Sequence, residues 1–422
     1  MRGLLKARQG AAAGSVYVAG AFAISGILTF VFHGYTGRSL GPARYGDFGV
    51  LWTSVFLVAQ VLWIGVSQTL GRYVAEREAR GEDPRPVITS VRRLTLALLG
   101  AFLGISLLAS PLISFAVFEG DWLLTAAFIA AVAAYAPEYF LRGIFGGHRQ
   151  FARLGVLHVA ESSSRMLMAV VLLFAGVGIA GPAAAVVLAP LIGALAVWPG
   201  ATQHSGKEGG PFSAVGAFRF AGPVLLCVTF GQILMNGGPI LVRLLGGTST
   251  QVALLVTALI LARTPQYVLS PVIASLLPHA SRALATEGRR GFNRFVLRAL
   301  AAVGTVGVLM VGGTWLLGEW ALRLVYGERF DVGTGLLVTL AALAAFYLLS
   351  EMFSQVLFAL GRARLAAVGW FVGLPVSAAV IILLQTGVVE RVSYSVALGA
   401  LAAALVQAAF YVATRRSTPD AP

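Results

Sequence analysis

The twelve residues Glu138-Tyr-Phe-Leu-Arg-Gly-Ile-Phe-Gly-Gly-His-Arg149 return as Glu351-Met-Phe-Ser-Gln-Val-Leu-Phe-Ala-Leu-Gly-Arg362. Both copies read E-x-F-x-x-x-x-F-x-x-x-R without a gap, 213 residues apart. Each closes an apolar run of membrane-span length and opens a basic turn. A weaker echo links Leu40-Gly41 with Leu245-Gly246. Internal repetition of this kind favours a transporter over a receptor or scaffold.

Working outward from these two copies, apolar runs occupy most of the chain. With 58% apolar residues, 11% charged residues and a mean hydropathy of +0.84, 422 residues carry too little polar surface to coat a water-soluble domain. A crossing needs roughly 20 mainly apolar residues. Such stretches lie near 13–35, 46–69, 93–117, 121–146, 151–176, 179–200, 216–237, 250–281, 295–318, 332–360, 364–385 and 393–413. The expected fold is all-α, a polytopic membrane protein of about twelve transmembrane helices in two six-helix repeats. The expected lobes are 1–205 and 206–422, joined by the polar connector Thr202–Pro211 (TQHSGKEGGP). The first apolar run is span-length and does not read as a removable export signal, so the N-terminus is expected to be retained.

The net charge of +14 is read as topology. With the N-terminus inside, 23 of the 31 Lys and Arg residues fall in cytoplasmic segments, among them Arg77, Arg149, Arg290 and Arg362. The expectation is a bacterial-type inner (cell) membrane protein with both termini cytoplasmic and no nucleic-acid partner. The single cysteine, Cys227, excludes an internal disulfide, and the five histidines are scattered, so no catalytic metal is expected. A phosphate loop is missing too. Gly206-Lys207 has Ala201 in place of the first glycine and Glu208 in place of the Ser/Thr, so ATP hydrolysis is not expected.

Gly37-Arg-Ser-Leu-Gly-Pro-Ala-Arg-Tyr-Gly46, Gly71-Arg-Tyr-Val-Ala-Glu76, Phe218-Arg-Phe-Ala-Gly-Pro223 and Val325-Tyr-Gly-Glu-Arg-Phe330 are the sharpest parts of a likeness that covers most of the chain. On them the protein resembles the polysaccharide branch of the multidrug/oligosaccharidyl-lipid/polysaccharide exporter superfamily, flippases for undecaprenyl-diphosphate-linked oligosaccharides. The resemblance implies two six-helix lobes around a central cavity and alternating access driven by a proton or sodium gradient or by membrane potential. It implies no bound cofactor. The partners it implies are a lipid-linked oligosaccharide substrate, membrane lipids and glycan-assembly proteins.

Charges at bilayer depth cost several kcal/mol unless paired or hydrated, and they cluster here. His158, Glu161, Ser162 and Arg165 share one face of the fifth span, with Glu161 and Arg165 at i,i+4. They read either as a self-neutralised pair or as a polar stripe lining an aqueous path. His158-x-x-Glu161 alone is a poor metal pair. Arg263 lies mid-span in the eighth helix beside Pro265, which is expected to break that helix and mark a cavity wall. Arginine suits phosphate oxygens, and lipid-diphosphate flippases present cavity arginines; the other reading is an ion pair with Glu161 or Asp47. Arg263 and Arg165 are therefore candidate diphosphate ligands. Gln60, Gln232 and Asn236 are candidate sugar ligands or interhelical glue. Glu138 and Glu351, matched by the repeat, are candidates with Glu161 for ion coupling, or else anchors of the inner turns.

Three functions compete. A flippase moving a polyprenyl-diphosphate-linked oligosaccharide leads, and a cation-coupled multidrug exporter of the same fold comes second. A membrane glycan polymerase or ligase is third, because the longest outer stretch, about 318–331, is too short for an acceptor site; no enzymatic activity is expected.

Overall fold

The computed structural model describes residues 2–198, 212–274 and 276–416, so the expected connector at 202–211 lies outside the described residues. Every regular element among the described residues is a helix: α1 (Arg2–Ala79), α2 (Arg85–Leu108), α3 (Ser110–Val117), α4 (Trp122–Gly147), α5 (Phe151–Phe174), α6 (Ala180–Val197), α7 (Ala214–Leu244), α8 (Ser249–Ala274), α9 (Leu276–Tyr326), α10 (Thr334–Ala359), α11 (Ala363–Leu383) and α12 (Val388–Arg416). Ten stretches of described helix are long and apolar enough to cross a membrane. The first, Ala19–Ala79, is 61 residues long and holds two of the expected spans. They are separated at Gly41, whose φ of 74° and ψ of 169° belong to glycine almost alone. The eighth expected span, 250–281, falls on α8, which is not one of the ten. Exposed Leu, Ile, Val and Trp side chains stud α2, α9 and α11, as a lipid-facing surface requires.

Proline decides two local outcomes. The third expected span is not continuous but breaks at Ala109 between α2 and α3. Pro111 has no N–H for the Leu107 carbonyl, and the Ser110 hydroxyl donates to that oxygen instead (2.8 Å). At Pro265 the expectation fails the other way, since α8 runs through it to Ala274. The carbonyl that loses its N–H donor there is that of Leu261, and the helix continues past the proline for nine residues.

The chain divides into two compact units, Met1–Leu40 with Val50–Gly222, and Gly41–Gly49 with Pro223–Pro422. Within the first, α4 and α5 both pack on α6; within the second, α10 and α11 both pack on α12. The repeated pairing uses small residues for close approach. A Cβ on Gly373 of α11 would lie 2.6 Å from the Gly399 carbonyl oxygen of α12, and one on Gly399 would lie 2.7 Å from that of Gly373.

The helices correct the register of the repeat. α4 and α10 each span 26 residues, displaced by 212 at both ends, and α5 and α11 also begin 212 apart. The left-handed residue ending the helix comes four positions after Phe145, at Arg149, but three after Phe358, at Gly361. The turn therefore closes from Gln150 N to Phe145 O (2.8 Å) in one copy and from Arg362 N to Leu357 O (2.8 Å) in the other. One residue is about 100° around a helix. In the helical register Glu138 matches Ser350, both 0% exposed, whereas Glu351 is half-buried. Tyr135 falls on Tyr347.

Candidate functional site

Each unit holds a polar network that includes one of these two tyrosines. In the first, Tyr135 of α4 donates to Glu161 Oε1 of α5 (2.9 Å). Arg165, one turn beyond Glu161, donates from Nη1 to the same oxygen (2.7 Å) and to the Tyr135 hydroxyl oxygen (3.3 Å), and from Nη2 to Thr29 Oγ1 (3.3 Å). Its guanidinium lies 5.0 Å from the Trp52 ring centroid, with Phe32 and Phe56 at 5.8 and 6.0 Å. Arg142 bridges two carboxylates, through Nε to Glu138 Oε1 (2.9 Å) and through Nη2 to Glu161 Oε2 (3.5 Å). Two acids and two guanidiniums thus neutralise one another at positions where Glu138, Glu161 and Arg165 are 0%, 4% and 3% exposed. The i,i+4 spacing read in the sequence produces the pair; its wrapping by Thr29, Trp52 and Phe56 of α1 was not legible.

His158 belongs to the same cluster. Its ring nitrogen and the carboxylate oxygens of Glu138 and Glu161 lie within 4.8 Å of one another, so the third potential ligand missing from His158-x-x-Glu161 comes from α4. Arg142 and Arg165 nevertheless occupy Glu138 Oε1 and both oxygens of Glu161. Guanidinium charge already stands where a metal ion's charge would fall.

The second network joins three residues that the sequence singled out. Arg263 Nη1 of α8 donates to Asn236 Oδ1 of α7 (2.7 Å). Asn236 Nδ2 donates to Gln232 Oε1 (2.6 Å), and Gln232 Nε2 reaches the Tyr347 hydroxyl oxygen of α10 (3.5 Å). The direction of the chain follows from chemistry. A guanidinium has no acceptor, so Asn236 must offer its oxygen, which commits its amide nitrogen to Gln232 and that of Gln232 to Tyr347. The Tyr347 oxygen is used as an acceptor, leaving its O–H to donate. Gln232 and Asn236 meet because they are one turn apart on α7.

The alternative partners weighed for Arg263 are engaged as follows. Glu161 is held by Arg165 and Arg142, while Asp47 accepts from Arg243 Nη2 (2.7 Å) and from Ser249 Oγ (2.6 Å). Gln60 is half-buried in α1 and joins neither network. Both tyrosines escaped the sequence reading. Superimposing the two halves at 212 rather than 213 would have found them, because only that shift sets tyrosine on tyrosine.

The sequence model of the polysaccharide biosynthesis protein family matches residues 11–284. Two uncharacterized proteins of Mycobacterium tuberculosis are similar over nearly the whole chain. One is 25% identical, covering 92% of this chain and 90% of its own length; the other is 27% identical, covering 96% and 91%. Among solved structures, the inward-facing conformation of a multidrug resistance MATE family transporter of the MOP superfamily aligns with a TM-score of 0.73 at 18% identity, over 93% of this chain and 96% of that one. A eukaryotic MATE transporter aligns with a TM-score of 0.66 at 16% identity, over 95% of each chain. The chain is a multi-pass membrane protein that belongs to the polysaccharide biosynthesis protein family and has the MATE transporter fold with its two repeats.

Proposed function

We propose that this protein moves a polyprenyl-diphosphate-linked oligosaccharide from the inner to the outer leaflet by alternating access. The observation that carries the reading is the chain Arg263–Asn236–Gln232–Tyr347, a guanidinium continued by amides and a hydroxyl across three membrane-depth helices. In this reading Arg263 meets the diphosphate and the amides and Tyr347 meet sugar hydroxyls, the donor types these groups require. Membership of the polysaccharide biosynthesis family supports the glycan as cargo. Arg165, enclosed by Glu161, Thr29, Tyr135 and Trp52, is assigned to the architecture of its own unit. Coupling to a proton or sodium gradient is assigned to Glu138 and Glu351. The protein sits in the inner membrane with both termini cytoplasmic.

A second reading, a cation-coupled multidrug exporter, has support from the likeness in fold to a multidrug resistance MATE family transporter. Cationic drugs call for acidic side chains without counter-charges. In the first unit Glu138 and Glu161 are both paired with arginines, which weighs against it.

Outward delivery of lipid-linked oligosaccharide, measured with membrane abundance, tests the proposal. Arg263→Ala is expected to lose most transport, and Arg263→Lys nearly as much, because lysine keeps the charge but not the planar fork. Full activity of Arg263→Ala at normal abundance would sink the diphosphate assignment.

A further inference from the structure

One stretch of α1 packs with the half of the protein to which the rest of that helix does not belong. Gly41–Gly49 is part of the second unit, whereas the residues on either side of it, to Leu40 and from Val50, are part of the first. Gly41 frees this stretch from the preceding span, since its positive φ interrupts the helix. No such interruption follows, and α1 runs on without a break from Pro42 to Ala79. The stretch is therefore the head of a helix whose body lies in the other unit.

Three kinds of contact seat the head. Asp47 Oδ1 accepts from Arg243 Nη2 of α7 (2.7 Å) and from Ser249 Oγ of α8 (2.6 Å), so one carboxylate oxygen ties three helices together. Tyr45 and Phe48 are fully buried, and the Tyr45 ring centroid lies 5.8 Å from that of Tyr326 and 5.7 Å from that of Phe330. Gly46 and Gly49 bring the backbone close to α8. A Cβ on Gly46 would strike the Ser249 carbonyl, and one on Gly49 would lie 2.8 Å from Val256 Cγ2.

A continuous helix cannot follow two bodies that move relative to each other: either it bends, or its head leaves one of them. Alternating access requires such a movement, and the inference rests on that part of the proposed function but not on the cargo. We infer that residues 41–49 are a strap, seated on the second unit in one conformation of the cycle and released in the opposite one, with Asp47, Arg243 and Ser249 as its catch. Charge-assisted hydrogen bonds suit a catch, because they are strong only while donor and acceptor are in register. The rival is a helix that bends at Gly49 with its head always seated, which would keep Val256 covered throughout.

Val256 is 0% exposed beneath Gly49, so a thiol there reports release; Val356 of α10, also 0% exposed, reports general loosening of the unit. Val256→Cys and Val356→Cys are made separately in full-length Cys227→Ser protein, and their reaction with N-ethylmaleimide is followed in detergent micelles. With the strap intact, position 256 is expected to react measurably faster than 356. Asp47→Ala removes both bonds and should raise the rate at 256 about tenfold or more, as loss of a charge-assisted hydrogen bond implies, with 356 unchanged. Asp47→Asn keeps an accepting oxygen without the charge and should fall between. Arg294→Ala, which breaks the exposed pair with Glu287, should alter neither rate. If Asp47→Ala does not accumulate, Ser249→Ala serves instead and should raise the rate at 256 by about twofold or more, since it removes one neutral bond. A thiol at 256 no more reactive than one at 356, a parallel rise at both positions, or an unchanged rate at 256 once the catch is removed would each overturn the strap. Labelling needs no cargo, so its failure is separate from that of the diphosphate assignment, which Arg263→Ala tests.

Discussion

Glu161→Gln is expected to destabilise the first unit more than Arg165→Met, although the two residues form one ion pair. Glutamine preserves the size of the side chain and can still accept from Arg165 and Tyr135 through one oxygen. It removes the charge that balances Arg165, which is 3% exposed, and presents an N–H donor where Glu161 Oε2 faces Arg142 at 3.5 Å. The buried Arg165 and the partly buried Arg142 would then be left with the single carboxylate of Glu138. Removing one partner of a buried pair costs about 3–5 kcal/mol, and this arrangement belongs in that range. Arg165→Met is milder, because Glu161 keeps Arg142 and the 2.9 Å bond from Tyr135, and the methionine fills the space among Phe32, Trp52 and Phe56. A cost of about 1–3 kcal/mol, that of hydrogen bonds lost from a buried group, is expected for it. The double variant should lie above Glu161→Gln alone, with a coupling energy of at least about 1 kcal/mol. Unfolding free energies in mixed micelles, followed by tryptophan fluorescence, measure all three. A Glu161→Gln protein within about 0.5 kcal/mol of wild type would refute the view that this ion cluster ties α4 to α5.

Because α4 and α10 align at 212, Glu138→Gln and Glu351→Gln are expected to differ: Glu138→Gln deprives Arg142 of its main acceptor and lowers abundance as well as flux. Equal losses of flux at normal abundance in both variants would restore the symmetric pairing of the two glutamates. The arginine asymmetry predicts that a cysteine introduced at position 290 in a Cys227→Ser background resists impermeant thiol reagents in intact cells. Labelling there from outside would invert the topology.

Much of this protein was legible because a bilayer imposes simple rules on a chain. Segments that must satisfy their own hydrogen bonds in hydrocarbon become helices wherever some twenty apolar residues run together, so length and hydropathy predicted α4 to α6 and α10 to α12 closely. Spacings of four residues likewise announced contacts within one helix, as in Glu161 with Arg165, Glu138 with Arg142, and Gln232 with Asn236. Proline was less readable. Pro111 divides a helix and Pro265 does not, and hydropathy and spacing do not distinguish the two sites.

The amino-acid sequence by itself determined that the chain is a helical membrane protein built from two related halves, with Arg263, Gln232, Asn236 and a Glu161–Arg165 pair set in apolar runs. Tertiary structure alone decided which of these meet. It joined Arg263 to Asn236 across α7 and α8, gave Asp47 to Arg243, and enclosed Arg165 among Thr29, Trp52 and Tyr135. It also moved the register of the repeat by one residue, exchanging a match of glutamates for a match of tyrosines. The physical reason is that periodicity places side chains on the face of their own helix, whereas partners on another helix depend on how helices pack and where they end. A single residue at the end of α10, about 100° of rotation, separates the two alignments.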